Sequence, residues 1–159
     1  MDKAPVFINM ALHAWNTQIG RVSQSLQNMP DEILLSEIAP GRNRGIYLIG
    51  HLIAIHDAMN EILGIGKRAH ADLDEAFLKN PDKSGFEMPS VQQLKQNWRE
   101  VHENLSTKFL QMQPEDWFKR HEAMSDEDFA KDPARNKLSV LINRTNHAAF
   151  HIGQLRLLK

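Results

Sequence analysis

The sequence predicts an all-α protein of one domain, in which four long helices form a bundle. Apolar residues recur at alternating spacings of three and four in separate long stretches, which is the periodicity of an amphipathic helix. No alternating strand pair and no internal repeat accompanies them. A chain of 159 residues is about the size of one ordinary domain. Periodicity and lengthy linkers together favour an antiparallel four-helix bundle.

The first helix is predicted to end just before Pro30. Proline lacks a backbone donor and its ring clashes with the preceding turn, so a helix that reaches it is interrupted. The apolar stripe before that point is formed by Ile8, Leu12, Trp15, Ile19, Val22, Leu26 and Met29. One face of this helix should therefore lie in the core.

The second helix is predicted from about Arg44 to Leu63, with Asn43 as its N-cap and two glycines beyond its end. Its first half, Ile46 to Ile55, is apolar on nearly every side and by itself would also suit a buried strand. The pattern continues for too long to be a typical strand, which favours a helix. A helix that is apolar all round must be covered on several sides. We therefore expect it at the centre of the bundle, where a dimer contact could add cover.

The third helix is predicted to open at a capping box formed by Ser90 and Gln93, and to close before Pro114. Its apolar stripe consists of Val91, Leu94, Trp98, Val101, Leu105, Phe109 and Met112. The fourth helix should run from about Pro133 to Leu158. Its apolar stripe consists of Leu141, Thr145, Ala148, Ile152 and Leu155.

The linkers should carry short helical turns, such as one from Pro114 to Lys119. They are rich in proline, glycine, asparagine and acidic residues, and they span positions 30–42, 66–89 and 113–132. The acidic stretch from Glu122 to Asp132 follows no ligand spacing, so we interpret it as a solvated linker.

Composition excludes several classes of function. The chain has no cysteine, which rules out disulfides, thiolate metal sites and a cysteine nucleophile. Its formal net charge of −1 provides no field for a polyanion, so nucleic acid is not an expected partner. The amino terminus lacks a secretory pattern, and the longest apolar stretch is about half of what a bilayer requires. A soluble, cytoplasmic protein is expected.

Three histidines form the candidate metal site. His147 and His151 lie one helical turn apart, so both side chains can reach one point beside the fourth helix. They flank its apolar line and should face the bundle interior or a cleft in it. His51 projects from a buried face of the second helix. A single histidine in such a place is more often a core residue bonded to backbone, but three that converge suit zinc, nickel, copper or ferrous iron.

The surrounding pattern narrows the chemistry. Position 148 is alanine, so the glutamate of the His-Glu-x-x-His metalloproteases is absent. No Glu-x-x-His occurs either, which removes the usual di-iron bundle. Three neutral ligands with open coordination positions are typical of a catalytic ion.

The remaining candidates have simpler interpretations. His56 projects about 140° away from His51 around the helix and cannot share its ion. The other histidines are assigned to a polar helix face or to linkers, and they are His13, His70, His102 and His121. The tryptophans are assigned to the core or to capping positions, and they are Trp15, Trp98 and Trp117. Asp57 and Glu61 could support a ligand imidazole, but helix-surface charges are the simpler interpretation.

Two segments resemble the DinB/YfiT-like superfamily of bacterial helical bundle proteins. They are Gly50-His51-Leu52 and the run from His147 to Leu155, which is similar to the family signature His-x-x-x-His-x-Gly-Gln-Leu. The resemblance extends through almost the whole chain. It implies an up-down-down-up bundle, commonly a homodimer, with a divalent ion held by His51, His147 and His151. It also implies activities such as thiol-dependent S-transfer with bacillithiol, mycothiol or glutathione, and maleylpyruvate isomerisation.

Two residues beside this signature carry structural expectations. Gly153 costs roughly 1 kcal/mol relative to alanine inside a helix, so we expect another backbone to pass close to it. Gln154, three residues after His151, could either support a ligand imidazole or form an ordinary bond between helices.

The leading hypothesis is an enzyme whose metal ion activates a low-molecular-weight thiol for attack on a small electrophilic substrate. Arg144, one turn before His147, could hold a carboxylate of the thiol or substrate, or form a surface salt bridge. One alternative is metal-assisted hydrolysis, which would need a proton acceptor from a linker. The other is a non-catalytic stress-response protein that binds a metal or small ligand and acts through dimerisation.

Overall fold

The computed structural model describes residues 3–158, which are all-α, with no strand longer than an isolated backbone bridge. The α-helices of this range are α1 (Ala4–Asn28), α2 (Asp31–Leu34), α3 (Gly45–Asp57), α4 (Met59–Ile62), α5 (Val91–Gln111), α6 (Asp126–Lys131) and α7 (Lys137–Leu155). The linkers also hold the 3₁₀ turns Ala71–Leu73 and Pro114–Phe118 and the π-helical turn Glu75–Lys79. The all-α class and the short turn at Pro114 are confirmed.

The longest helices, α1, α3, α5 and α7, pack around one core. Helix α1 packs against α7 and α5, and α3 packs against α5 and α7. The first and last long helices are therefore neighbours, as are the two between them. Among the described residues, no helix combines the length and the apolar character needed to span a bilayer.

The predicted second helix is interrupted at Ala58, which separates α3 from α4. The Asn60 side chain donates to the carbonyl of Asp57 at 2.9 Å, where a continuous helix would place the backbone N–H of Glu61. The Glu61 N–H instead bonds to the Ala58 carbonyl, three residues back, which is a 3₁₀ contact. A side chain that competes for a backbone acceptor thus divides the helix.

The expected N-cap at Asn43 is wrong. Arg44 occupies the cap position, and its backbone N–H donates to a carboxylate oxygen of Asp82 at 2.7 Å. The Arg44 guanidinium also pairs with Asp82 at 2.7 Å. A carboxylate from a distant linker therefore caps the start of α3, where the helix dipole favours negative charge.

The other helix ends follow the sequence more closely. Helix α1 ends before Pro30, as predicted. The Ser90 hydroxyl accepts from the Gln93 backbone at 3.1 Å, but the Gln93 side chain bonds to Asn97 and leaves the capping box half formed. Helix α7 begins at Lys137, later than expected, because Asn136 provides the cap.

Helix α3 lies at the centre of the molecule, as its composition predicts. Its buried apolar side chains are Ile46, Leu48, Ile49, Leu52, Ile53 and Ala54. All three tryptophans are also buried in the core. Neighbouring elements of the same chain supply this cover, so α3 does not need a partner to bury its apolar faces.

Asp57 is not the surface charge that the sequence suggests. Its side chain is buried and accepts the backbone N–H groups of Ala69 at 3.1 Å and His70 at 2.8 Å. The Arg68 guanidinium lies 3.6 Å away. These hydrogen bonds therefore hold the linker that follows α4 against the end of α3. Glu61 is exposed, and so are the acidic side chains between positions 122 and 132, in agreement with their predicted solvation.

Candidate metal centre

Three imidazoles meet between α3 and α7. His51 lies on α3, whereas His147 and His151 lie one turn apart on α7. One ring nitrogen of each lies within 4.8 Å of those of the other two. Nε2 of His147 is 3.4 Å from Nε2 of His51 and 2.9 Å from Nε2 of His151. Two elements that are far apart in sequence thus bring the three predicted residues together.

Hydrogen bonds at the opposite ring nitrogens fix the tautomers of two of these imidazoles. His51 Nδ1 donates to the Phe77 carbonyl at 2.9 Å, and His151 Nδ1 donates to Oε1 of Gln154 at 2.6 Å. Because Nδ1 carries the hydrogen in both rings, both Nε2 atoms keep a lone pair. His147 Nε2 can donate its single hydrogen to only one of them. The cluster therefore has more inward-facing lone pairs than protons to satisfy them.

A small divalent cation fits this arrangement. Zinc–imidazole bonds of roughly 2.0–2.1 Å at tetrahedral angles place two ligand nitrogens about 3.3 Å apart. The two separations that involve His147, 2.9 and 3.4 Å, are close to that value, and one nitrogen of each ring lies within 4.8 Å of those of the other two. A cation among the three Nε2 atoms would accept every lone pair. Three imidazole donors suit zinc, nickel, copper or ferrous iron and leave at least one coordination position open.

Gly50 makes room for the group that orients His51. A Cβ at position 50 would lie 2.2 Å from the ring of Phe77, which is fully buried. The ring therefore packs directly on the α3 backbone, and the carbonyl of the same residue reaches His51. The Tyr47 hydroxyl donates to the Asn80 carbonyl at 2.8 Å and fixes the end of the same π-helical turn. The sequence pattern does not predict the role of Phe77, since this residue lies in a linker without a recognisable motif.

Gln154 supports His151 within a single helix. Its bond to His151 Nδ1 spans three residues of α7, so the alternative of a bond between helices is wrong. The expectation for Gly153 is also wrong, because nothing lies within 4 Å of a Cβ placed there. Gly153 is exposed, whereas the glycine that allows a close approach at the site is Gly50.

All three imidazoles are held neutral. Burial lowers the pKa of His51, although the bond to Phe77 partly opposes the shift. Burial also lowers the pKa of His151. Burial and the two neighbouring rings lower the pKa of His147 to about 4. At neutral pH each ring therefore carries a single hydrogen, so His51 and His151 present a lone pair at Nε2, and His147 does so when its hydrogen lies on Nδ1.

Arg144 lies near the cluster and, among residues 3–158, forms no salt bridge with an acidic side chain. The side chain is partly buried, and its Nη1 donates to Oδ1 of Asn143 at 3.3 Å. Burial lowers the pKa of the guanidinium. Its positive charge also lowers the pKa of His51 and His147. Arg144 therefore contributes positive potential to the candidate metal centre.

A second, separate pair of histidines lies in the core. His56 does not join the cluster, as expected, but its Nδ1 lies 2.9 Å from Nε2 of His102. His102 Nδ1 donates to the Trp98 carbonyl at 2.6 Å, so His102 Nε2 accepts from His56. The assignment of His102 to a polar helix side is wrong, since α5 turns it towards Trp15. His13 is exposed, and neither His70 nor His121 contributes to the cluster.

This pair makes stability depend on pH. Burial lowers the pKa of His102 to about 4, whereas an unfolded histidine titrates near 6.5. Only the unfolded state binds this proton as the pH falls from 6.5 towards 4, so stability is fully present above 6.5 and is lost below it. We expect His102 to account for about 2 kcal/mol of lost unfolding free energy between pH 7 and pH 5. Urea unfolding of metal-free protein at the two pH values measures the loss.

The His102→Gln variant should show a correspondingly smaller difference between the two pH values. The matched control is His13→Gln, which removes an exposed histidine and should keep the wild-type dependence. An unchanged pH dependence in His102→Gln would show that His102 is not the responsible group.

The chain matches no protein-family model, and no curated protein matches it.

Proposed function

We propose that this protein is a DinB/YfiT-like metalloprotein that binds one divalent ion at His51, His147 and His151 and transfers a low-molecular-weight thiol to a small electrophile. The convergence of three imidazoles, two of which keep a lone pair at the inward-facing Nε2, is the observation that carries the proposal. Zinc, nickel and iron are all compatible with this donor set. A homodimer and a small-molecule substrate belong to the same proposal and rest on the resemblance.

The packing of the long helices supports the up-down-down-up topology that this family would have. In such a bundle the second and third helices are neighbours, and so are the first and fourth. The pairs α3 with α5 and α1 with α7 correspond to these neighbours. In the simple antiparallel bundle that the periodicity favours, the third and fourth long helices would also be neighbours. Here the third long helix, α5, packs against α1 and α3 instead.

An ion in this site would lower the pKa of a bound thiol and so provide a sulfur nucleophile at neutral pH. The three imidazoles would hold it, while the Phe77 carbonyl and Gln154 fix two of the rings. The thiol proton leaves to water, the sulfur forms a bond to an electrophilic carbon, and the leaving group departs with the bonding electrons.

The absence of carboxylates around the imidazoles favours thiol transfer over hydrolysis. Within residues 3–158, the polar contacts of the three rings involve only one another, a backbone carbonyl and an amide. Hydrolysis usually requires a side chain that accepts a proton from water and returns it to the leaving group. A thiol that loses its proton to solvent does not require such a group.

The proposal is tested with protein purified without a histidine tag and loaded separately with zinc, nickel or ferrous iron. Each form is mixed with monochlorobimane and with glutathione, cysteine or bacillithiol, and the fluorescent thioether is measured. We expect at least one combination to exceed the metal-free rate by about tenfold or more, since metal ions activate nucleophiles substantially at neutral pH.

The His147→Ala variant should lose this acceleration, whereas His13→Ala, which changes an exposed histidine, should retain it. If no metal and thiol combination exceeds the metal-free rate, the transferase proposal is wrong. Tight metal binding without turnover would then favour the non-catalytic alternative.

A further inference from the structure

Arg144 differs from the other partly buried arginines of the described range. Arg44 pairs with Asp82, Arg68 with Asp74, and Arg120 with Asp126. Within residues 3–158, Arg144 has no ion pair with an acidic side chain, and its Nε is buried without a hydrogen-bond partner. A guanidinium that has been partly removed from water without a counter-ion is costly. The fold therefore keeps an unneutralised donor group at this position.

The location of Arg144 connects this group with the candidate metal centre. It lies three residues before His147 on α7, which is about one helical turn. Its charge acts on both His51 and His147, which come from different helices. The guanidinium therefore acts electrostatically on two of the three imidazoles, one from each helix of the site.

The charges of this environment do not balance. Three neutral imidazoles would leave the charge of a divalent ion unreduced, and Arg144 adds a further positive charge. The polar contacts of these four side chains include no carboxylate within the described range. A thiol ligand that carries a second anionic group besides its thiolate sulfur is therefore favoured electrostatically at this site.

We propose that Arg144 binds a carboxylate of the thiol substrate, so that the preferred thiols are mercaptocarboxylates. This inference rests on the proposed function, because it assigns the sulfur to the ion and the carboxylate to the guanidinium. The planar fork of an arginine matches a carboxylate with two parallel hydrogen bonds, which gives orientation as well as affinity. Arg144 would thus determine which thiols bind productively.

The test uses cobalt-substituted protein and two thiols that differ in charge, 3-mercaptopropionate and its methyl ester. Thiolate binding to cobalt is followed by its near-ultraviolet charge-transfer band, and a dissociation constant is obtained for each thiol. In wild-type protein the acid should bind more tightly than the ester. In Arg144→Gln the preference for the acid, expressed as the dissociation constant of the ester divided by that of the acid, should fall about tenfold or more. A change of this size is expected for the loss of a charge-assisted hydrogen-bonded pair.

The matched control is Arg156→Gln, which removes an exposed positive charge just after the same helix and should keep the wild-type ratio. Comparing ratios cancels the intrinsic difference between the two thiols and any uniform change in metal affinity. If Arg144→Gln keeps the wild-type ratio while both thiols still bind cobalt, the Arg144 proposal is overturned and the thiol-transfer proposal remains.

If neither thiol binds cobalt, the thiol-transfer proposal fails, and propionate with its methyl ester decides the role of Arg144. A preference for propionate in the visible cobalt bands that disappears in Arg144→Gln would support a carboxylate site. Equal or absent responses to the two compounds would overturn it.

Discussion

The His147→Ala variant is expected to lose stoichiometric binding of a divalent ion. Its Nε2 atom lies between those of His51 and His151, so removing it leaves two imidazoles on separate helices. Removal of a residue that only hydrogen-bonds to a ligand weakens metal binding by roughly 10–100-fold. Removal of a ligand itself should therefore lower the metal affinity by more than about 100-fold. Competition with a chromophoric chelator measures the affinity, and elemental analysis of untagged protein measures the stoichiometry.

The variant His51→Ala should behave in the same way, since it removes the imidazole that α3 contributes to the candidate metal centre. His13→Ala is the matched control, because it deletes an exposed imidazole elsewhere and should bind one equivalent like wild type. Retention of one tightly bound equivalent in His147→Ala would contradict the proposed ligand set.

Gly50→Ala is expected to damage both the fold and the site. Its Cβ would lie 2.2 Å from a carbon of the Phe77 ring, so the ring or the backbone must move. Overpacking of this kind costs roughly 1–3 kcal/mol or more. Because the Phe77 carbonyl holds His51, metal affinity should also fall by about 10–100-fold. Chemical denaturation and chelator competition measure the two effects separately.

Gly153→Ala is the matched control on the other helix of the site. Nothing lies within 4 Å of the added Cβ, and alanine favours the helix by up to about 1 kcal/mol. This variant should be at least as stable as wild type and should bind metal normally. If Gly50→Ala matched wild type in both measurements, the assigned role of Phe77 would be wrong.

The sequence was sufficient to predict that His51, His147 and His151 converge, because the signals that indicate their positions are periodic. The spacing of His147 and His151 fixes their common direction on a helix, and the apolar face around His51 indicates burial. The supporting residues carry no such signal. Phe77 reaches His51 from the linker between α4 and α5, and only the packed structure shows that Gly50 leaves room for its ring.

The predictions for two polar residues, His102 and Asp57, are wrong because both side chains are buried. His102 continues the stripe of Trp98, Leu105 and Phe109 at spacings of four and three, which was a usable signal for burial. Asp57 is buried because backbone N–H groups of a folded-back linker satisfy its carboxylate. That linker conformation depends on tertiary contacts, which periodicity does not encode.

The most direct test of the central claim is a crystal structure of protein grown with zinc, with data collected at the zinc absorption edge. We expect one anomalous peak of full occupancy, about 2.0–2.1 Å from the Nε2 atoms of His51, His147 and His151, with at least one coordination position left for a small ligand. Full density for all three rings without such a peak, or with the rings turned towards other protein partners, would contradict it.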